Sequence, residues 1–155
     1  ALANMEHVER DIIRAEWLLG AVLLAQAAGD DDRQKLLHEA DAHLTDALAR
    51  CRKIDMVDHE PDILLAWAKW HQLKGELAEA HADAAEALEI ADRCEYRLAQ
   101  ADIHNFLARL ALDAGDRAAA RREAESARER AWCDGPPHCY KPALDEAERL
   151  LAEIS

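Results

Sequence analysis

Histidines four residues apart on a helix, with a glutamate beside the first, can hold a catalytic zinc ion and supply a general base. The nearest approach here is His38-Glu39-Ala40-Asp41-Ala42-His43, where the histidines are five apart. Five residues turn a helix through about 500°, which leaves the two imidazoles about 140° apart and unable to share one ion. Cys133, His138 and Cys139 gather in a proline-rich turn and offer three soft ligands. A structural zinc site needs four, commonly with Cys-x2-4-Cys spacing, and no fourth lies nearby. The alternative is a turn whose cysteines pack, with Trp132 and Tyr140, under the helix that follows.

Nucleophilic chemistry has little to work with. The two serines are Ser126 and Ser155, Thr45 is the single threonine, and five scattered glycines make no phosphate-cradling loop. The eight histidines stand mostly alone among alanines and charges, where a side chain is more often half-buried than catalytic. The chain is therefore expected not to be an enzyme and to need no cofactor. The opposing reading is a helical-bundle metal protein or enzyme that uses His and Cys groups.

The elements that must carry any site are helices. Among 155 residues, 34 are Ala and 21 Leu, whereas Ile, Val and Thr together number 11. That composition favours helix and starves a sheet of β-branched residues. With 19 Lys and Arg against 32 Asp and Glu, the net charge is −13. Such a surface repels phosphate backbones and anionic headgroups, so neither nucleic acid nor membrane is an expected partner. The longest apolar stretch, Trp17 to Ala28, is too short to span a bilayer, and acidic residues interrupt any amino-terminal leader. Four cysteines (Cys51, Cys94, Cys133, Cys139) make no disulfide framework, and reduced thiols fit a cytoplasmic protein. The opening Ala1-Leu2-Ala3 lacks an initiator Met and suggests a processed chain or a piece of a longer protein.

Helical periodicity breaks at Gly29-Asp32, Asp58-Pro61, Gly75, Cys94-Tyr96, Gly115-Asp116 and Asp134-Pro137. Gly ends a helix through its left-handed conformation and Pro fits the first turn. Helices are expected near 5–28, 31–54, 61–74, 76–93, 96–114, 116–132 and 140–154. Ala68, Gly75, Ala80 and Ala87 recur 40 residues later as Ala108, Gly115, Ala120 and Ala127, and Ala40 and Ala47 lie 40 residues earlier. Small residues at such spacings let antiparallel helices approach closely and stack in file. An Ala-rich bundle with accidental self-similarity is the alternative.

The pattern Gly–acidic–x–x–(Glu or Ala)–Ala, with Ala seven residues later and a small residue seven before the Gly, resembles the tetratricopeptide repeat (TPR). It spans residues 5–155, with a period of 40 instead of the usual 34. The lengthened form is similar to TPR arrays of bacterial multidomain signalling proteins, including the STAND-type regulators. The segment from Trp132 to Ala147 resembles the closing part of such arrays. Two departures stand out: the first repeat lacks a regular turn, and Leu64 and His104 occupy places usually held by a large aromatic.

The resemblance implies an all-α, right-handed superhelix forming a single domain. Three antiparallel pairs (about 5–54, 61–93 and 96–132) would be closed by a capping helix at about 140–154. It implies a protein or peptide partner on the concave wall, as scaffold or sensor. Counting back from Gly75 and Gly115, the wall would hold Asp62, Leu65, Lys69 and Gln72, then Asp102, Asn105, Arg109 and Leu112. Glu16, Leu19, Leu23 and Gln26 are the less secure set in the first repeat. Lys69 and Arg109, matched in successive repeats, could hold a carboxylate or an extended peptide. Otherwise they pair with Asp62, Asp102 or Asp113 and stay solvated. Trp67 is expected between helices, Trp70 against the following repeat, and Trp17 and Trp132 at the two ends of the stack. The mixed charges from Arg117 to Arg130 read as an exposed, ion-paired face. Exposed apolar ends of the array could also drive self-association.

Overall fold

The computed structural model describes residues 2–29 and 31–155. Among them every regular element is a helix: α1 (Leu2–Ala27), α2 (Arg33–Lys53), α3 (Glu60–Lys74), α4 (Leu77–Arg93), α5 (Arg97–Asp113), α6 (Arg117–Trp132) and α7 (Lys141–Ile154). Each break expected from Gly and Pro falls at or between helix ends, Glu60 and Pro61 forming the first turn of α3. Asp30, inside the first break, lies outside the described residues. Among the described residues no helix is long and apolar enough to cross a membrane.

The turns explain the spacing of the helices. Gly75 and Gly115 adopt φ of 82° and 83°, and the following amides close back on carbonyls five residues earlier: Glu76 N to His71 O and Asp116 N to Ala111 O, both 2.9 Å. Asp55 and Glu95 close the α2 and α4 ends with the same geometry (Met56 N to Cys51 O, 3.0 Å; Tyr96 N to Ala91 O, 2.9 Å). Their φ values of 51° and 55° are ones that side chains resist. Asp55→Gly and Glu95→Gly are therefore expected to stabilise the protein by about 0.5–1 kcal/mol each in urea unfolding. Glu95 should gain more, because a short Asp tolerates the left-handed region better. No gain at either position would mean that these turns relax without strain.

The chain divides into two compact units, residues 1–87 and 88–155. In the first, α1 and α2 form a close pair and α3 lies on both. Closeness depends on Gly20, on the buried side of α1. A Cβ there would stand 2.7 Å from Leu44 Cδ2, and Leu44 is itself fully buried. One core cluster joins Leu24, Ala27, Leu37, Ala40 and Leu44 to Ala66 and Trp70. Another joins Ile13, Ala47, Cys51, Met56 and Ile63. Trp17 and Trp67 are partly buried against both clusters. In the second unit, α5 pairs with α6 and α7 lies on both. Its core is Ala108, Ala120, Ala124, Leu150 and Ile154, with a second cluster of Ala101, Ala131, Ala143 and Leu144.

Every alanine of the spaced set is fully buried: Ala40, Ala47, Ala68, Ala80, Ala87, Ala108, Ala120 and Ala127 all show 0% exposure. The tryptophans are placed by tertiary packing. Trp70 packs back onto the preceding pair, its Nε1 donating to Leu37 O of α2 at 2.8 Å. Trp132 is 50% exposed and does not fill an end, its ring passing under Gly135. Trp17, in the first pair, is partly buried against both clusters of the first unit and meets the His59 ring at 5.9 Å. A bulky indole goes where helices leave the deepest gap, which tertiary docking decides and periodicity does not.

Candidate functional site

Residues expected on one wall have unequal fates. On α3, Leu65 is 6% exposed and belongs to the core. Asp62 is partly buried, and burial raises its carboxyl above the ordinary value, while His59 and Lys69 pull the other way. His59 Nδ1 lies 3.8 Å from that carboxyl, a buried atom with no hydrogen-bond partner. Gln72 is half-buried, and Lys69 is exposed with no ion pair within 4.0 Å among the described residues. One turn further on, Lys74 covers the Trp70 ring at 4.4 Å and pairs with Glu76 at 3.0 Å. The α3 row thus presents Lys69 and Gln72, with Asp62 at its edge.

On α5 the corresponding row is occupied from within the chain. Asp102 accepts from Tyr140 Oη at 3.0 Å. Asn105, 7% exposed, donates from Nδ2 to Ala143 O at 2.8 Å. Arg109 reaches Glu153 at 2.7 Å and Glu146 at 4.0 Å, and not Asp102 or Asp113. Leu112 packs on the cluster that holds Leu150 and Ile154. Four side chains expected to meet a partner meet α7 and the residue before it. Sequence spacing placed them on one helix face correctly in this sense, but which helix covers that face is a tertiary fact.

No known family model, curated protein or solved structure matches this chain.

Sequence reasoning missed a bond within each hairpin. Glu16 meets His43 at 2.5 Å across α1 and α2, His71 meets Asp83 at 2.7 Å across α3 and α4, and His104 meets Glu123 at 2.7 Å across α5 and α6. Positions 43, 83 and 123 are 40 apart, the signal that could have revealed them. All six side chains are at least partly buried and bonded in these pairs, so the histidines are not solitary.

The remaining candidates dissolve into structure. His43 belongs to a hairpin bond and His38 is exposed, so the near-motif on α2 brings nothing together. A shallow depression beside it, lined by His38, Asp41, Ala42 and Thr45, opens to solvent and draws its walls from α2 alone. In the α6–α7 turn, His138 is exposed and Cys133 Sγ leans on Arg130 O at 3.7 Å. Among the described residues no group of three or more His, Cys, Asp or Glu is placed to hold a metal ion. Cys51 is buried, donates to Met56 O at 3.0 Å and is pushed up to about 11 by that burial, which keeps it a thiol.

One further surface comes from the coordinates. The side of α1 turned away from α2 exposes Met5, Val8, Leu18, Leu19 and Val22, each about half exposed or more. Isolated exposed leucines need no explanation, but a row along one helix does.

Proposed function

We propose that this chain is a protein-interaction module: a right-handed, TPR-like array of three helix pairs closed by α7, whose open helix rows receive a segment of another polypeptide. On this reading it serves as a scaffold or sensor segment of a bacterial multidomain signalling protein, a role suggested by the repeat-like spacing alone. The observation that carries this reading is the contrast between two matched rows. On α5 the row Asp102, Asn105, Arg109 and Leu112 is filled by a helical segment that brings carboxylates to the arginine. On α3 the matching cation, Lys69, is exposed and unpaired among the described residues. A row that accepts an acidic helix at one place in the chain has the chemistry to accept an acidic segment at another.

The contact is expected to be weak. An exposed cation in water contributes less than about 1 kcal/mol, and the neighbouring Leu65 is already spent on the core. Selection from a displayed random peptide library should return carboxylate-rich sequences with micromolar affinity, weakened by added salt. Lys69→Glu should remove that consensus without changing helicity. A selection that returns no acidic preference, or one indifferent to Lys69→Glu, would end this reading of the α3 row.

A further inference from the structure

We propose that the outward row of α1 is a dimerisation seam, on which a second copy of this chain lays its own α1 antiparallel. This does not rest on the α3 row and uses a different face. Met5, Val8, Ile12, Ala15, Leu19 and Val22 follow one another at intervals of three and four residues, the spacing by which one helix seats another. Met5, Val8, Leu19 and Val22 are 68%, 57%, 49% and 54% exposed, Ala15 is exposed and Ile12 partly so. The same helix buries Ile13, Gly20, Leu24 and Ala27 towards its own hairpin. Helix α1 is therefore apolar on two sides, and only one of them has a partner.

Three features favour a second copy over an unrelated helix. The row is self-complementary when reversed: Met5 faces Val22 of the other copy, Val8 faces Leu19, and Ile12 faces Ala15. Each layer then joins a larger side chain to a smaller one. A parallel pairing would set Ile12 on Ile12 and Ala15 on Ala15, crowding one layer and emptying another.

The charges beside the seam also tolerate reversal. Glu9 comes opposite Glu16 of the other copy, but Glu9 is drawn to Arg50 at 2.8 Å and Glu16 is bonded to His43 at 2.5 Å, and Asp11 comes opposite Leu18. The six residues of the row itself carry no charge, so a protein of net charge −13 can approach itself along it.

Area is the third feature. The strip is about 27 Å long, and one copy shows on the order of 500 Å² along it. Two copies together bury roughly 1,000 Å², where specific interfaces begin, whereas a polar partner would gain from one side only. A two-fold pairing of this kind closes at two chains.

Sedimentation equilibrium of the full chain, from micromolar to near-millimolar concentration, tests this. A reversible monomer–dimer equilibrium is expected. Leu19→Glu and Val8→Lys should each raise the dissociation constant by about 100-fold or more with unchanged circular dichroism, since both residues are half exposed. Mixing the two variants should restore a dimer, because only the antiparallel register sets Lys at position 8 against Glu at position 19. A chain that stays monomeric throughout would assign the row to a different polypeptide and overturn the proposal. So would a dimer indifferent to both substitutions, assembly beyond two copies, or a mixture that remains monomeric.

Discussion

Trp70→Ala is expected to destabilise the first unit by about 3–5 kcal/mol, the largest loss from any single substitution on α3. The indole is 9% exposed and fills the gap where α3 meets α1 and α2, among Leu24, Ala27, Leu37 and Leu44. It also stands edge-on to Trp67, with ring centres 5.3 Å apart at 74°. Trp70→Phe separates volume from hydrogen bonding. It keeps most of the ring while removing the 2.8 Å bond to Leu37 O, and should cost about 1–2 kcal/mol. Urea unfolding monitored by circular dichroism measures both. A loss below about 1 kcal/mol for Trp70→Ala would mean that the ring is not packed on α2.

The same residue marks where sequence reading ends. Periodicity put Trp70 on an apolar face of α3, and that face is buried. Its partner on α2 was not legible, because a helix face has no record of which neighbour will reach it. Helix existence and limits were far more legible, since they rest on local chemistry. Gly75 and Gly115 end helices by a conformation that only Gly adopts freely, and Pro61 and Pro142 lie in first turns. The alanines 40 apart were readable for a related reason: a side chain of one carbon is retained where helices touch, and all eight are fully buried.

The interaction rows were legible only as rows. Lys69 and Arg109 hold matched positions in sequence, yet one is exposed and the other is bound to Glu153. Spacing within α5 could not disclose that α7 would arrive there. The outward row of α1 was hidden for the opposite reason. In the sequence its residues interleave with the inward row of the same helix, and the two read together as one apolar stretch. Only burial separates them.

Removing α7 tests what holds a segment on such a row, and the effect should be large. A chain ending at Tyr140 would leave Ala101, Ala108, Ala120, Ala124 and Ala131 facing water and strip Asn105 and Arg109 of their partners. The buried residues of α6 are all alanines, which offer too little apolar area for α6 to hold a fixed geometry on α5. Amide exchange in both helices is expected to accelerate by about 100-fold or more. A synthetic peptide of residues 141–155, added in trans, should restore protection.

Two peptide variants then decide between charge and apolar anchoring. Leu150 is fully buried, so Leu150→Ala should cost about 3 kcal/mol, roughly 150-fold in peptide affinity. Glu153→Lys removes a pair whose side chains are 32% and 48% exposed, and should cost well under 1 kcal/mol, only a few-fold. If the order were reversed, the carboxylates would be the anchor. The α3 row, with Lys69 but no free leucine beside it, would then bind acidic segments far more tightly than its exposure suggests. The order expected here makes Arg109 a selector of register and Leu150 the source of affinity. A partner for Lys69 must accordingly bring apolar side chains of its own.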